Sequence, residues 1–269
     1  QLQNGVTLTT FSGVNIEQNG VIELQNGTLD TQYVEIMGGT LRGAGIIRTG
    51  SGPIDGQVEN RMGTVAPGTG VGVLNIAGRF ANGIDGTLAM ELGGTTAATQ
   101  YDQVIVDGAV SLEGTLAVTL ANLGSGTFAP SVGNSFTLLT ATDLIGGEFD
   151  HLVLPGGYLW NIAYNPHSVI LTMSALAVAG DYNKNGVVDA ADYVVWRNSM
   201  GAMGAGLEAD GNGDQMVNQD DLVFWKSRFG KTSGSGSALS ANVPEPASAG
   251  LVLLGVLVLG MRRPLNRKR

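Results

Sequence analysis

The chain of 269 residues has no cysteine, few aromatic side chains and few basic ones. The absence of cysteine excludes disulfide frameworks, zinc–thiolate sites and thiol nucleophiles. Only 14% of residues are charged, and 14 Lys+Arg against 23 Asp+Glu give a formal net charge of −9. Because nucleic-acid binding relies on clustered basic residues, this balance disfavours that function. The hydrophobic share of 43% is too high for a disordered chain, so we expect a folded protein.

Glycine is abundant instead, with 42 copies in the chain, and through residues 1–175 it separates short runs in which apolar and polar residues alternate. Runs such as residues 14–17 and 39–42 have the length and period of β-strands. Asn19-Gly20 and Asn26-Gly27 predict tight turns, because both residue types tolerate positive φ. The sequence therefore favours short stacked strands that bury their apolar sides against one another, as in a β-solenoid. A β-sandwich built from hairpins is the alternative.

A resemblance to the passenger domains of autotransporter-like surface proteins covers roughly residues 38–173. It is carried by residues 39–45 (GTLRGAG), 65–68 (VAPG), 88–94 (LAMELGG), 101–104 (YDQV) and 114–116 (GTL). The resemblance implies a right-handed parallel β-helix with an adhesive, surface-layer or other structural role.

An enzymatic function is the less favoured interpretation of this region, which has four arginines, no lysine and two histidines, His151 and His167. Glu91 and Asp102 are candidates for a glycosidase pair of carboxylates. We expect no enzyme, with a polysaccharide hydrolase or lyase, or a carbohydrate-binding protein, as the alternative. That alternative predicts a groove beside paired carboxylates, lined by aromatic side chains from Tyr101, Tyr158, Trp160 and Tyr164.

Residues 181–192 and 210–221 form a duplicated loop with oxygen-bearing side chains at its first, third, fifth, ninth and twelfth positions. This is the EF-hand calcium pattern with Asp at the last position, and the seventh position supplies a backbone carbonyl. The sequence predicts two Ca²⁺ ions, with the second site weaker because Gln215 replaces a turn glycine at a cost of roughly 1 kcal/mol. The predicted ligands are Asp181, Asn183, Asn185, Val187, Asp189 and Asp192, then Asp210, Asn212, Asp214, Met216, Asn218 and Asp221.

The segments after the two loops, residues 193–201 and 222–230, also match each other. The whole repeat resembles the type I dockerin, which implies a small all-α module that docks onto cohesin modules. Apolar positions on these segments favour a helix–helix core first and a binding surface second. They are Tyr193, Trp196, Met200, Leu222, Trp225 and Phe229. The partner-contacting positions implied by the resemblance are Ala190, Ala191, Arg197, Asn198, Gln219, Asp220, Lys226 and Ser227.

The C-terminal end begins with a Gly/Ser-rich linker, residues 231–242. Val243, Pro244, Glu245 and Pro246 follow, then an apolar run at 247–261 and an Arg-rich end. Fifteen helical residues span about 22 Å, less than a bilayer core of about 30 Å. The order resembles the PEP-CTERM sorting signal of Gram-negative bacteria, which implies export, cleavage by an exosortase and release or attachment at the cell surface. An ordinary membrane anchor is the alternative.

The predicted fold class is mainly β. We expect a right-handed parallel β-helix over residues 1–175, a small all-α dockerin-like module over 180–230, the linker 231–242, and a sorting signal over 243–269 with a hydrophobic helix. The predicted function is an exported structural or adhesive protein of the cell surface or extracellular matrix. It is extracellular, or transiently anchored by its C-terminus in a Gram-negative-type bacterium. The expected partners are a cohesin-like or other surface protein and an exosortase-type enzyme, without nucleic acid.

Overall fold

A computed structural model describes residues 1–50, 56–204 and 206–233. Residues Gln1–Gly234 form one compact unit. Its described part contains two helices, α1 (Ala190–Ser199) and α2 (Gln219–Lys226), and eighteen strands. The strands are β1 (Thr7–Thr9), β2 (Val14–Glu17), β3 (Val21–Thr31), β4 (Val34–Met37), β5 (Thr40–Thr49), β6 (Gln57–Asn60), β7 (Thr64–Ala66), β8 (Val73–Ala77), β9 (Arg79–Asn82), β10 (Thr87–Leu92), β11 (Gln103–Asp107), β12 (Val110–Leu112), β13 (Thr115–Leu120), β14 (Ser135–Ala141), β15 (Ile145–Gly147), β16 (His151–Val153), β17 (Tyr158–Asn165) and β18 (Ser168–Leu176).

The strands of the described residues form two sheets. The larger has the order β16-β13-β10-β7-β5-β8-β11-β14-β18-β17, with β3 paired to β5 and β1 to β3. The smaller has the order β15-β12-β9-β6-β4-β2, and all of its pairs are parallel. In that sheet, register places Val34, Val58, Phe80 and Val110 in one row, and all four are buried. The row gives the smaller sheet one continuous apolar face.

The core lies on the faces that the sequence alternation predicts. Leu88, Met90 and Leu92 of β10 are each at most 1% exposed, while the residues between them are half-buried. In the parallel register Leu88 lies beside Leu116, and Met90 beside Val118. The alternation therefore gives each of these two strands one buried face. Full burial of a Leu or Met side chain contributes about 1.5–3 kcal/mol relative to exposure.

The larger sheet curls because β5 pairs with two different strands. Residues 40–42 pair with β7, and residues 45–48 pair with β8. Gly43 lies between the two pairings with φ +102°, and a Cβ atom there would collide with the Leu24 carbonyl oxygen. Only glycine fits this close approach without strain. The bend directs the two halves of β5 to different neighbours, so the sheet forms a curled half-barrel.

The predicted mainly β class is confirmed, but the predicted architecture is wrong. Instead of a right-handed parallel β-helix, the chain forms two separate sheets, one a curled half-barrel, and β14, β18 and β17 pair antiparallel. The physical reason for the antiparallel end is the connection between β17 and β18. Asn165 pairs with Ser168, which leaves only Pro166 and His167 for the turn. A two-residue connection returns the chain beside itself, so it joins antiparallel neighbours and cannot carry a parallel crossover.

The helical part of the fold prediction also needs correction. Within the described residues the helices number two, of ten and eight residues, and much of the predicted all-α module is loop. The predicted C-terminal hydrophobic helix falls on residues 247–261, which lie outside the described residues. No helix in the part of the chain that the structure describes is long and apolar enough to cross a membrane.

Of the two predicted Asn-Gly turns, one is a turn and one is not. Asn19 has φ +65° and connects β2 to β3, as expected. Asn26 also has positive φ, +59°, but it lies inside β3 at a β-bulge opposite β5. A bulge and a tight turn both need a left-handed residue, so the dipeptide alone does not separate them.

Two separate clusters of buried apolar side chains occur in the compact unit. One fills the interior of the sheets. The other lies between the two helices and their loops and consists of Tyr182, Val188, Trp196, Ala209, Val217, Leu222 and Trp225. The predicted domain boundaries near residues 175–180 stay predictions.

Candidate calcium sites

Loop 1, residues 181–192, is curled by hydrogen bonds to its first and last carboxylates. Asp181 accepts from the backbone N–H groups of Asn185 (3.0 Å) and Gly186 (2.7 Å), one with each carboxylate oxygen. Asp192, in the first turn of α1, accepts from the N–H of Asn183 (3.0 Å). The first position of the loop is therefore bonded to the fifth and sixth, and the twelfth position is bonded to the third.

Loop 2, residues 210–221, repeats this arrangement. Asp210 accepts from the N–H groups of Asp214 (3.1 Å) and Gln215 (2.8 Å), again one with each oxygen. Asp221, at the start of α2, accepts from the N–H of Asn212 (3.2 Å). The same positions of both loops make the same contacts, which extends the sequence duplication to the hydrogen bonds.

The ninth position of each loop caps the helix that follows. Asp189 accepts from the N–H of Ala191 (2.7 Å), while Asp192 accepts from the N–H of Asp189 (2.8 Å). Asn218 and Asp221 form the equivalent capping box at α2. These reciprocal bonds satisfy the free N–H groups of the first helical turn and fix each loop to its helix.

Burial and charge make both loops suitable for a cation. Asp192 and Asp221 are fully buried, and Asp181 is nearly so. Burial raises the pKa of the Asp181 carboxyl, while the N–H groups of Gly186 and Asn185 oppose the rise. The one basic residue of loop 1, Lys184, is paired with Glu208 at 2.8 Å, and loop 2 contains four aspartates and no basic residue. Buried carboxylates without a basic partner in their own loop favour a bound cation.

The donor set decides which cation fits. No group of three or more histidine or acidic side chains that could hold a metal occurs in residues 1–50, 56–204 and 206–233. An ion in either loop would therefore need Asn side chains and the carbonyls of Val187 and Met216 in addition to carboxylates. Such an all-oxygen set of mixed charge is the one that calcium accepts and that zinc or copper disfavours.

The turn inside each loop needs two left-handed residues, and the loops supply them differently. In loop 1 they are Lys184 (φ +59°) and Gly186 (φ +90°). In loop 2 they are Gly213 (φ +78°) and Gln215 (φ +66°). Gln215 thus has the left-handed backbone that the sequence predicts, but Lys184 has it too. Sequence reasoning missed the strain in loop 1, because only the sixth position was expected to need glycine.

All eight candidate partner-contacting residues are exposed, and they lie on or beside the two helices. The apolar positions of the helices divide between core and surface. Trp196, Leu222 and Trp225 are buried, while Tyr193, Met200 and Phe229 are exposed. The remaining candidates, Val243, Pro244, Glu245 and Pro246, lie outside the described residues.

A groove of about 560 Å³ lies where the larger sheet meets loop 1. Tyr158 and Trp160 line it, with ring centroids 5.9 Å apart, and Ser174, Asp181 and Lys184 supply polar atoms. The Trp160 indole N–H donates to the Pro155 carbonyl (3.1 Å), which fixes the ring. The groove contains two of the four predicted aromatic residues, Tyr158 and Trp160, and one carboxylate, that of Asp181. The two rings come from β17, whereas the carboxylate comes from loop 1.

Glu91 and Asp102, the candidate glycosidase pair, line a pocket of about 280 Å³ together with Arg42. Both carboxylate oxygens of Asp102 accept backbone N–H groups, from Gly72 (2.7 Å) and Glu91 (2.8 Å). Burial raises the pKa of Asp102 to about 7. These contacts connect the chain before β8 to the end of β10, which is a structural role for the Asp102 carboxyl group.

The two histidines lie apart from this pair. His151 begins the exposed strand β16. The Nδ1 atom of His167 lies 3.0 Å from the Asp143 carbonyl oxygen.

Comparison of the chain with protein-family models and with curated proteins gives no match. The resemblances to passenger domains, the dockerin and the PEP-CTERM signal therefore stay predictions.

Proposed function

We propose that residues 181–221 bind two calcium ions and that the protein is an exported structural or adhesive protein using this segment as a calcium-dependent interaction module. The observation that carries the proposal is the repeated set of hydrogen bonds in the two loops. Asp181 and Asp210 each take the N–H groups of the fifth and sixth positions, and Asp192 and Asp221 each take the N–H of the third.

The role of the metal follows from charge. Bound calcium would neutralise the carboxylates that each loop gathers and connect the start of the loop to the helix after it. Asp181 and Asp210 would hold it from the first position, and Asp192 and Asp221 from the last. Since the second apolar cluster contains seven buried residues, we expect the helices to depend on this neutralisation.

Isothermal titration calorimetry of the full chain tests the proposal. We expect two calcium ions per chain in the unmodified protein, and loss of one binding step in Asp181→Ala or in Asp210→Ala. Asp85→Ala, at an exposed carboxylate far along the chain from both loops, is the matched control and should keep both steps. Absence of calcium uptake, together with an unchanged circular dichroism spectrum in chelator, would refute the proposal.

The interaction surface of the proposed module is the exposed side of the two helices. Arg197 and Lys226 occupy equivalent places there, and the exposed Tyr193 and Phe229 add aromatic area. A cohesin-like or other surface protein is the partner we propose. Charge reversal at Arg197 or Lys226 should weaken capture of such a partner in calcium, and capture that persists in chelator would exclude a calcium-dependent module.

A second candidate function is carbohydrate binding in the groove beside loop 1. The observation that favours it is the pair of partly exposed rings of Tyr158 and Trp160 next to the polar atoms of Ser174 and Lys184. Aromatic faces with a few polar groups in a cleft are the usual lining of small-ligand sites. Tyr158→Ala should abolish retention on immobilised polysaccharide, and equal retention of the variant and the parent protein would eliminate this candidate.

The proposed export rests on the sequence order of the C-terminal segment. We propose that residues 243–269 are a sorting signal that an exosortase-type enzyme removes, after transient membrane attachment. Mass spectrometry of the protein from its host should give a C-terminus near residues 243–247. Recovery of intact Arg269 from the cell surface would leave an ordinary anchor as the explanation.

A further inference from the structure

The indole groups of two tryptophans connect the two loops crosswise. Trp196 belongs to α1, which follows loop 1, and its Nε1–H donates to the Asn218 carbonyl of loop 2 (2.7 Å). Trp225 belongs to α2, which follows loop 2, and its Nε1–H donates to the Asp189 carbonyl of loop 1 (3.2 Å). Asn218 and Asp189 are both ninth positions and both cap their helices. Each indole therefore contacts the loop of the opposite half.

Backbone hydrogen bonds also connect each loop to the chain that follows the helix of the opposite half. In loop 1, Val188 donates to the Lys231 carbonyl (2.8 Å) and accepts from the Gly230 N–H (2.8 Å), so the chain after α2 lies beside loop 1. In loop 2, Val217 donates to the Ala202 carbonyl (2.9 Å) and accepts from the Gly201 N–H (2.8 Å), so the chain after α1 lies beside loop 2. The segment that ends each helix thus supports the eighth position of the other loop.

The two indole rings are buried, and the carbonyls that they contact are partly buried. Trp196 and Trp225 belong to the second apolar cluster and are 7% and 9% exposed. The Tyr193 ring packs near both, with centroid distances of 5.5 Å and 5.9 Å. Removal of an indole N–H takes one hydrogen bond from the carbonyl of the opposite ninth position, which weakens the contact between that loop and the helix. The position of each ninth residue therefore depends on the opposite helix.

We infer that Trp196 and Trp225 are positioning residues that couple the two candidate calcium sites, Trp196 acting on loop 2 and Trp225 on loop 1. The inference rests on the proposed calcium binding. Filling loop 1 fixes Asp192 and with it the start of α1, and Trp196 on that helix holds loop 2. The same path runs from loop 2 through Trp225 to loop 1. Binding at either site then favours binding at the other, by a reciprocal coupling free energy.

The test uses Trp196→Phe and Trp225→Phe in the full chain, because phenylalanine keeps a ring in the cluster and removes the indole N–H. Calcium is titrated while the backbone amide resonances of Gly186 and Gln215 report loop 1 and loop 2 separately. We expect Trp196→Phe to raise the calcium midpoint at Gln215 about threefold to tenfold, and Trp225→Phe to do the same at Gly186. The other loop should change less in each variant. Tyr33→Phe, between β3 and β4 and outside both loops, is the control.

The outcomes separate this inference from the proposed function. If neither amide of the unmodified protein responds to calcium, both the proposed function and the inference fail. If the unmodified protein binds two ions but each variant weakens its own loop, or both loops equally, the inference alone is overturned. Asp181→Ala supplies a second measurement that leaves both indoles in place. It should raise the midpoint at Gln215 several-fold, and an unchanged midpoint would also overturn the coupling.

Discussion

Asp102 gives the sharpest prediction about stability, because its carboxyl group is buried in the core of the larger sheet. The residue is 2% exposed, and its oxygens accept the N–H groups of Gly72 and Glu91. Burial raises the pKa of Asp102 to about 7 from its ordinary 3.8, and the negative charge of Glu91 adds to the rise. The two N–H groups act in the opposite direction but are outweighed.

The sign of the effect follows from the protons bound in each state. Between pH 3.8 and about 7 the carboxyl is protonated in the folded chain and charged in the unfolded chain, so folding takes up a proton. The free energy of unfolding therefore falls as pH rises through this window and levels off above it. The gap between the two pKa values corresponds to about 4 kcal/mol as an upper limit. This direction is opposite to that of a carboxylate held in a salt bridge.

Asp102→Asn tests this reasoning, because asparagine does not ionise, although its NH2 group cannot accept one of the two backbone N–H groups. We expect the variant to lose the pH dependence, so that its stability relative to the parent rises by up to about 4 kcal/mol between pH 3.5 and pH 8. Urea unfolding followed by circular dichroism at constant free calcium measures both. Asp107→Asn, at an exposed carboxylate on β11, is the control and should keep the parent's pH dependence. A stability difference between variant and parent that stays constant from pH 3.5 to pH 8 would refute the raised pKa of Asp102.

Three further predictions concern the loops and the core. Gln215→Gly and Lys184→Gly each remove a side chain from a left-handed turn, so each should raise the calcium affinity measured by calorimetry about fivefold. Unchanged affinity would show that the backbone at that residue is not strained. Asn82→Ala should cost about 2 kcal/mol or more in urea unfolding, because the buried Asn82 side chain makes three hydrogen bonds, whereas Asn161→Ala at an exposed position should cost little. Trypsin should cut at Lys231 faster in chelator, since residues 230–233 pair with loop 1, and equal rates would contradict that link.

The positions of the strands could be predicted from the sequence, but the pairing of the strands in the larger sheet could not. In β10 the alternation of Leu88, Met90 and Leu92 fixes which face is buried, because side chains on a strand alternate between faces. The antiparallel end of the larger sheet was missed. Its signal is the short turn at Pro166 and His167, which is visible only once the flanking residues are known to be paired. Pairing partners depend on segments tens of residues apart, and no local pattern specifies them.

The loops could be predicted at the level of spacing, because each contact of Asp181 or Asp210 spans five residues or fewer. The bonds between the halves could not. The Trp196 indole reaches Asn218, 22 residues away, and the Trp225 indole reaches Asp189, 36 residues away. Sequence analysis treated both tryptophans as core residues. That expectation is confirmed by their burial, but an apolar pattern carries no information about where an indole N–H will point.

The small size of the second apolar cluster explains why the crosswise bonds matter. Seven buried residues stabilise two short helices and two loops that are rich in aspartate. A segment of this size is marginal on its own apolar burial. If the two halves made no contacts with each other, a loop without calcium would release only the helix that follows it. Because Trp196 and Trp225 each hold the opposite loop, the halves order or disorder together, so removal of calcium from both loops should release both helices in one transition.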